Sequence, residues 1–156
     1  VKINQTTLPL DDARSIGGLF HVANDIERIG DHAENVAEAA QTKAARSLEF
    51  SEEAKGELAQ MLDMVVKITT YSLDMFSHNN QEHMEEILEI EEQVDEMERS
   101  LQESHVQRLT RNECTPATGM LFSDVVSGLE RVSDHATNIA FSLLEEEYPS
   151  QNKGED

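Results

Sequence analysis

A string of nine residues occurs twice in this sequence, and each copy carries two acidic side chains. The pattern is Glu-Arg-x-x-Asp-His-Ala-x-Asn, and it begins at Glu27 in the first copy and at Glu130 in the second. The Glu and the Asp are four residues apart, so on a helix they lie one turn apart on the same face. Two like charges at this spacing destabilise an isolated helix by about 0.2–0.5 kcal/mol. A multivalent cation bound between them would relieve that repulsion.

The same spacing occurs a third time, between Glu91 and Asp95. Six carboxylates in three pairs are therefore our candidate metal ligands: Glu27, Asp31, Glu91, Asp95, Glu130 and Asp134. Carboxylate oxygens suit Mg, Mn, Fe or Ca better than Zn. The alternative is an ordinary solvated acidic face, which is the commoner explanation for a single pair of this kind. Projection of the fourth helix places Glu130 and Asp134 away from its apolar stripe, so we expect these pairs to face solvent.

Arginines in the motif provide a competing explanation for the acidic pairs. Arg28 and Arg131 each precede the motif Asp by three residues, a spacing at which an ion pair neutralises the carboxylate. A cation would then not be needed at that Asp.

Histidine and asparagine side chains surround the acidic pairs in both copies. Each His follows the Asp directly and is rotated by about 100° from it on a helix, so we expect packing or support of a ligand rather than metal coordination. Each Asn lies one turn beyond the Asp and is better placed to extend the acidic face. These surrounding candidates are His32, Asn35, His135 and Asn138.

Charge and composition exclude several classes of protein. The chain has 156 residues and a formal net charge of −20, which argues against binding to nucleic acid or to anionic lipid. Its single cysteine, Cys114, permits neither an intrachain disulfide nor a cysteine zinc site. No apolar stretch approaches the ~18 residues of a membrane span, so we expect no direct membrane insertion. Neither a phosphate-binding glycine loop nor a catalytic constellation is present, so we expect no enzymatic activity.

Apolar residues recur at 3-4 spacing, which predicts four helices at 11–42, 51–77, 81–111 and from Pro116 to just before Pro149. The absence of Trp and the low Gly and Pro content also favour long helices over strands. Short connections after the second and third helices force antiparallel neighbours, so the predicted fold is an all-α antiparallel helical bundle. The predicted core comprises Ile26, Val36, Leu62, Val65, Ile87, Ile90, Val94, Met97, Leu101, Val125, Leu129, Val132 and Ile139.

The duplicated motif indicates an internal repeat of 103 residues. Seven of the fourteen positions from 24 to 37 are identical to their counterparts 103 residues later, where unrelated helices would share about one. We therefore divide the chain into the final helix of a truncated first repeat at 1–48, a complete three-helix repeat at 49–148 and a mobile tail at 149–156. The first residue is Val1 rather than Met, and we expect further polypeptide upstream. The orphan first helix should dock as a fourth helix or self-associate.

The strings NDIERIGDHAENVAE and SGLERVSDHATNIA, together with the Glu91 to Asp95 step, resemble the PhoU family of phosphate-signalling proteins. The first string and the SEEAKGEL that follows it resemble most the cytoplasmic PhoU-like domain of bacterial sodium-dependent phosphate cotransporters. The resemblance implies two three-helix units and, in some members, iron or zinc clusters at surface Glu-x-x-x-Asp motifs. It thereby implies the same six carboxylates as ligands for iron, zinc or another divalent cation.

Our leading hypothesis is a non-enzymatic regulatory domain of a sodium/phosphate cotransporter, in the cytoplasm and attached to a membrane protein. Its partner would be the membrane part of the transporter or a phosphate-signalling protein. The alternative is a fragment of a free-standing PhoU-type regulator, which acts on a phosphate ABC transporter and a histidine kinase. A metal-dependent hydrolase and a purely structural bundle without a ligand are further alternatives.

Overall fold

Residues 10–147, the part that the computed structural model describes, form four α-helices: α1 (Leu10–Ala45), α2 (Glu52–His78), α3 (Met84–Thr110) and α4 (Pro116–Glu147). No strand occurs within this range, so the predicted all-α bundle is confirmed. Helix α3 begins three residues later than predicted because a turn, in which the Met84 amide donates to the Gln81 carbonyl (3.2 Å), comes first. The predicted tail at 149–156 lies outside the described residues.

Side-chain and backbone caps set the ends of the helices. Ser51 accepts a hydrogen bond from the Ala54 amide (3.1 Å) and starts α2, as a serine N-cap does. Helices α2 and α3 are each followed by an asparagine in the left-handed region, Asn79 and Asn112, with φ of 49° and 57°. This conformation reverses the chain within a few residues. The short turns therefore hold α2, α3 and α4 as consecutive neighbours.

Helix α4 is the common partner of the other three helices. It packs against α1, α2 and α3, and α2 also packs against α3. Among the described residues, α1 makes its interhelical contacts with α4 alone. The first helix thus docks as a fourth member of the bundle, as one of our two expectations for it held.

The core follows most of the predicted stripe. Eight of its members are buried, and Val36, Met97 and Val125 are half-buried at its edge. The prediction was wrong for Ile26 and Leu62, which are 46% and 45% exposed. Both lie on a side of their helix that no neighbouring helix covers. The confirmed core members are Val65, Ile87, Ile90, Val94, Leu101, Leu129, Val132 and Ile139.

Two polar side chains of α3 are buried where α2, α3 and α4 meet at one end. The Arg108 guanidinium donates to Glu57 of α2 (3.0 Å) and lies 4.9 Å from the centre of the Phe122 ring. The His105 imidazole occupies the space in which a β-carbon of Gly119 would lie, so α4 can approach α3 this closely only with glycine at that position. None of the helices in the described range is long and apolar enough to cross a membrane.

Candidate metal centre

Carboxylates from α3 and α4 converge where the two helices pack. Glu91 and Asp95 of α3 and Asp134 of α4 each offer an oxygen, and these oxygens all lie within 4.8 Å of one another. Among the described residues, this is the group of acidic, histidine or cysteine side chains that comes close enough to share one ion. Three of the six predicted ligands are therefore brought together, from two of the three predicted pairs.

Glu130, the other acidic residue of the α4 motif, lies beside this group. It is half-buried, and burial, followed by the charges of Asp134, Glu98 and Asp95, raises its pKa from the ordinary 4.5 to about 7. Our expectation that both acidic residues of the motif face solvent holds for Asp134 but is wrong for Glu130. The projection considered α4 alone, whereas α3 packs over that edge of the helix. We call Glu91, Asp95, Glu98, Glu130 and Asp134 the acidic cluster.

The other members of the acidic cluster are perturbed in the same direction. Burial, followed by the charges of Asp95 and Asp134, raises the pKa of Glu91. Burial and the charge of Asp95 raise the pKa of Asp134, and a hydrogen bond with Glu130 partly offsets the rise. Repulsion among partly desolvated carboxylates is the shared cause. The cluster therefore has an unmet demand for positive charge.

The first copy of the motif is arranged differently. Arg28 lies 3.6 Å from Asp31, so the ion pair that we proposed as a competing explanation forms here. Asp31 and Glu27 are both exposed on α1 and take no part in the converging group. No such ion pair joins Arg131 to Asp134 among the described residues, which leaves Asp134 free to face α3.

The motif histidines meet across the contact between α1 and α4. The rings of His32 and His135, which are repeat equivalents, stack with centroids 5.6 Å apart and planes 19° apart. His135 Nδ1 also donates to Asp25 of α1 at 2.9 Å. Burial, followed by the charges of His135 and Arg131, lowers the pKa of His32. The expectation that these histidines have a packing role agrees with this geometry, whereas Asn35 and Asn138 are simply exposed.

Sequence reasoning missed two participants. Glu98 continues the row of Glu91 and Asp95 by one further turn of α3, and this 4-3 spacing was a usable signal. Its carboxylate accepts a long hydrogen bond from Ser127 of α4 (3.4 Å), which ties the cluster to the α3–α4 contact. Asp25 lies outside the motif, and its repeat equivalent is Gly128, so the repeat gave no signal for it.

The donor set fits a hard divalent cation. Oxygens that bind one ion at ~2.0–2.6 Å can be at most about 4–5 Å apart, and the three converging oxygens meet this limit. All the donors are carboxylates, without a cysteine or histidine among the three, and this favours Mg, Mn, Ca or Fe over Zn.

Comparison with known proteins places the chain in a family. The PhoU domain family matches residues 2–40 and 58–143, which is most of the chain. No solved structure gives a significant match.

Three relatives are described as phosphate-specific transport system accessory protein PhoU homologues. The Thermotoga maritima protein is 26% identical over 86% of this chain, the Rhizobium meliloti protein 30% over 92%, and a Xylella fastidiosa protein 32% over 85%. The matches cover 57%, 60% and 55% of the respective relatives, so this chain spans less than two thirds of their length. The four-helix bundle, the duplicated motif and these matches agree: the chain belongs to the PhoU family.

Proposed function

We propose that the chain acts as a non-enzymatic, PhoU-type regulator of phosphate transport, and that its acidic cluster binds a divalent cation. The observation that carries the proposal is the convergence of Glu91, Asp95 and Asp134 from two helices. Membership of the PhoU family and relatives described as accessory proteins of phosphate-specific transport support the phosphate-transport part.

This proposal follows our alternative hypothesis rather than the leading one. The three relatives named above are accessory proteins of a phosphate-specific transport system, and none of the three is described as a sodium/phosphate cotransporter. We therefore propose a phosphate ABC transporter or its signalling kinase as the partner, in the cytoplasm.

Cation binding would act on the contact between α3 and α4. Glu91 and Asp95 belong to α3, Asp134 belongs to α4, and each carboxylate disfavours ionisation of the others. An ion held by all three neutralises this repulsion and fixes the two helices together. The next residue, His135, holds α1 through Asp25, so an ion at Asp134 lies beside the α1–α4 contact as well.

Thermal unfolding with and without metal tests the cation site. Binding linkage gives RT ln(1 + [L]/Kd), about 2.7 kcal/mol when the ligand is at a hundred times Kd. We expect Mn²⁺, Mg²⁺ or Fe²⁺ to raise Tm relative to EDTA, and Asp134→Asn to remove most of this rise. Asp124→Asn is the matched control, because Asp124 is an exposed aspartate of the same helix outside the cluster.

Equal responses from the two variants would mean that cations only screen the charge of the chain, and the metal site would be rejected. The regulatory role is tested separately in cells that lack the gene. Loss of the gene should change phosphate uptake or the phosphate-starvation response, and the full-length gene should restore it. An unchanged response would reject the regulatory proposal whatever the metal result.

A further inference from the structure

An apolar row on α1 has no partner among the described residues. Large apolar side chains at the start of the row, such as Leu19 and Ile26, are 56% and 46% exposed. The row continues in steps of four and three residues and contains no charged side chain, the spacing of a coiled-coil contact. All its members are exposed except where glycine contributes backbone alone. We call the row the α1 seam: Leu19, Ala23, Ile26, Gly30, Ala33, Ala37, Ala40 and Ala44.

The internal repeat shows that the same face is covered in the complete unit. Ile26 corresponds to Leu129, which is 4% exposed, and Leu19 corresponds to Phe122, which is 2% exposed. Ala33 corresponds to Ala136, which is fully buried. In α4 this face is the one on which α2 and α3 pack, whereas α1 makes its contacts only with α4. The α1 seam is therefore a helix-packing face that lacks its covering helices.

We propose that a second copy of this chain covers the α1 seam, so that two α1 helices pair in a twofold dimer. The proposal does not rest on the metal-binding function. A seam that is apolar along its whole length is self-complementary, as an isologous contact requires. Its mostly small side chains let two helices approach closely.

The contact area sets the strength of this dimer. The seam spans 25 residue steps, or about 38 Å at 1.5 Å per residue, and a helix is about 10 Å wide. Pairing would therefore cover roughly 400 Å² on each copy, which is below the ~600–1,000 Å² per partner of stable complexes. We expect a weak, concentration-dependent dimer rather than an obligate one.

Charge beside the seam gives the dimer a characteristic salt dependence. Glu27, Asp31, Glu34 and Glu38 flank the seam on the side away from α4, and the chain carries a net charge of −20. Two copies therefore repel each other, and salt screens that repulsion, with a Debye length near 3 Å at about 1 M and near 10 Å at about 0.1 M. Dimer formation should strengthen as NaCl is added.

Sedimentation equilibrium of the 156-residue chain tests the proposal. EDTA is present throughout, so that a metal bridge between acidic faces cannot imitate seam pairing. We expect a monomer–dimer equilibrium that tightens with salt, and a Kd that Ile26→Glu raises at least about tenfold. Leu62→Glu is the matched control, because Leu62 is equally exposed, lies on α2 and adds the same charge. It should leave Kd within about twofold of the wild type, since rim charges far from a contact act weakly.

Ala37→Glu is a second seam variant, chosen because an exposed alanine can be replaced without loss of core packing, and it should weaken the dimer in the same way. Circular dichroism must show unchanged helicity for all three variants. A chain that remains monomeric at high concentration and high salt overturns the proposal. So does a loss of dimer as large in Leu62→Glu as in Ile26→Glu, or an assembly that grows beyond two copies. The metal-dependent rise in Tm is unaffected by the seam variants, so the two proposals fail independently.

Discussion

Glu130 shows how packing changes the chemistry of a single side chain. It is half-buried beside other carboxylates, and its pKa is about 7 rather than 4.5. The folded chain therefore keeps a proton on Glu130 over a pH range in which the unfolded chain has lost it. Because the folded state binds more protons between these two values, the free energy of unfolding falls as pH rises from about 4.5 to about 7. Glu91 and Asp134, whose pKa values are also raised, contribute in the same direction.

Glu130→Gln should reduce this pH dependence. The amide resembles the protonated carboxyl group and can still donate a hydrogen bond to Asp134, so the variant should be more stable than the wild type at about pH 8 in EDTA and similar to it at about pH 5. Urea unfolding across this pH range measures the difference. Glu103→Gln, an exposed position of α3, is the control and should leave the slope unchanged. A wild-type slope retained in Glu130→Gln would show that Glu130 ionises normally.

The helices were the most predictable elements of the chain. Ser51 as the N-cap of α2 and Pro116 in the first turn of α4 are local signals, and the predicted ends lie within a few residues of the observed ones. The acidic cluster was predictable only in part. Sequence spacing identifies Glu91 with Asp95 and Glu130 with Asp134, but the rotation of α3 against α4 decides that Glu98 joins them. That rotation depends on core packing, and no local pattern encodes it.

Ile26 and Leu129 show the same limit at repeat-equivalent positions. Both belong to an apolar stripe at helical spacing, yet one is 46% exposed and the other is 4% exposed. A stripe identifies a face that can be buried, and only the neighbouring helices determine whether it is.

Paired alanine substitutions at these two positions measure that difference. Leu129→Ala should reduce the free energy of unfolding by about 2–5 kcal/mol, because it opens a cavity in the core. Ile26→Ala should cost about 1 kcal/mol or less, because much of the side chain already contacts solvent. Chemical denaturation at low protein concentration, where the chain is monomeric, provides both values. Equal losses would mean that α1 is covered in solution even in the monomer.

At the scale of the whole molecule, the four helices are not equally supported. Helix α4 packs against three neighbours, whereas α1 packs against α4 alone. The α1–α4 contact includes the stacked histidines and the bond from His135 to Asp25. Elements with few buried contacts open at a lower free energy than the global unfolding transition. Helix α1 should therefore detach while α2, α3 and α4 stay folded.

Native-state hydrogen exchange at low protein concentration and in EDTA tests this order of opening. Amides in the middle of α1 should exchange through an opening of lower free energy than those of α3 around Val94, which is fully buried. His135→Ala removes the bond to Asp25 and should speed exchange in α1 severalfold, with a smaller effect on α3. Exchange of α1 and α3 at one common free energy would show that the bundle opens as a single unit. Raising the protein concentration and the salt should then slow exchange in α1 selectively, because pairing through the α1 seam stabilises only the helix that lacks neighbours.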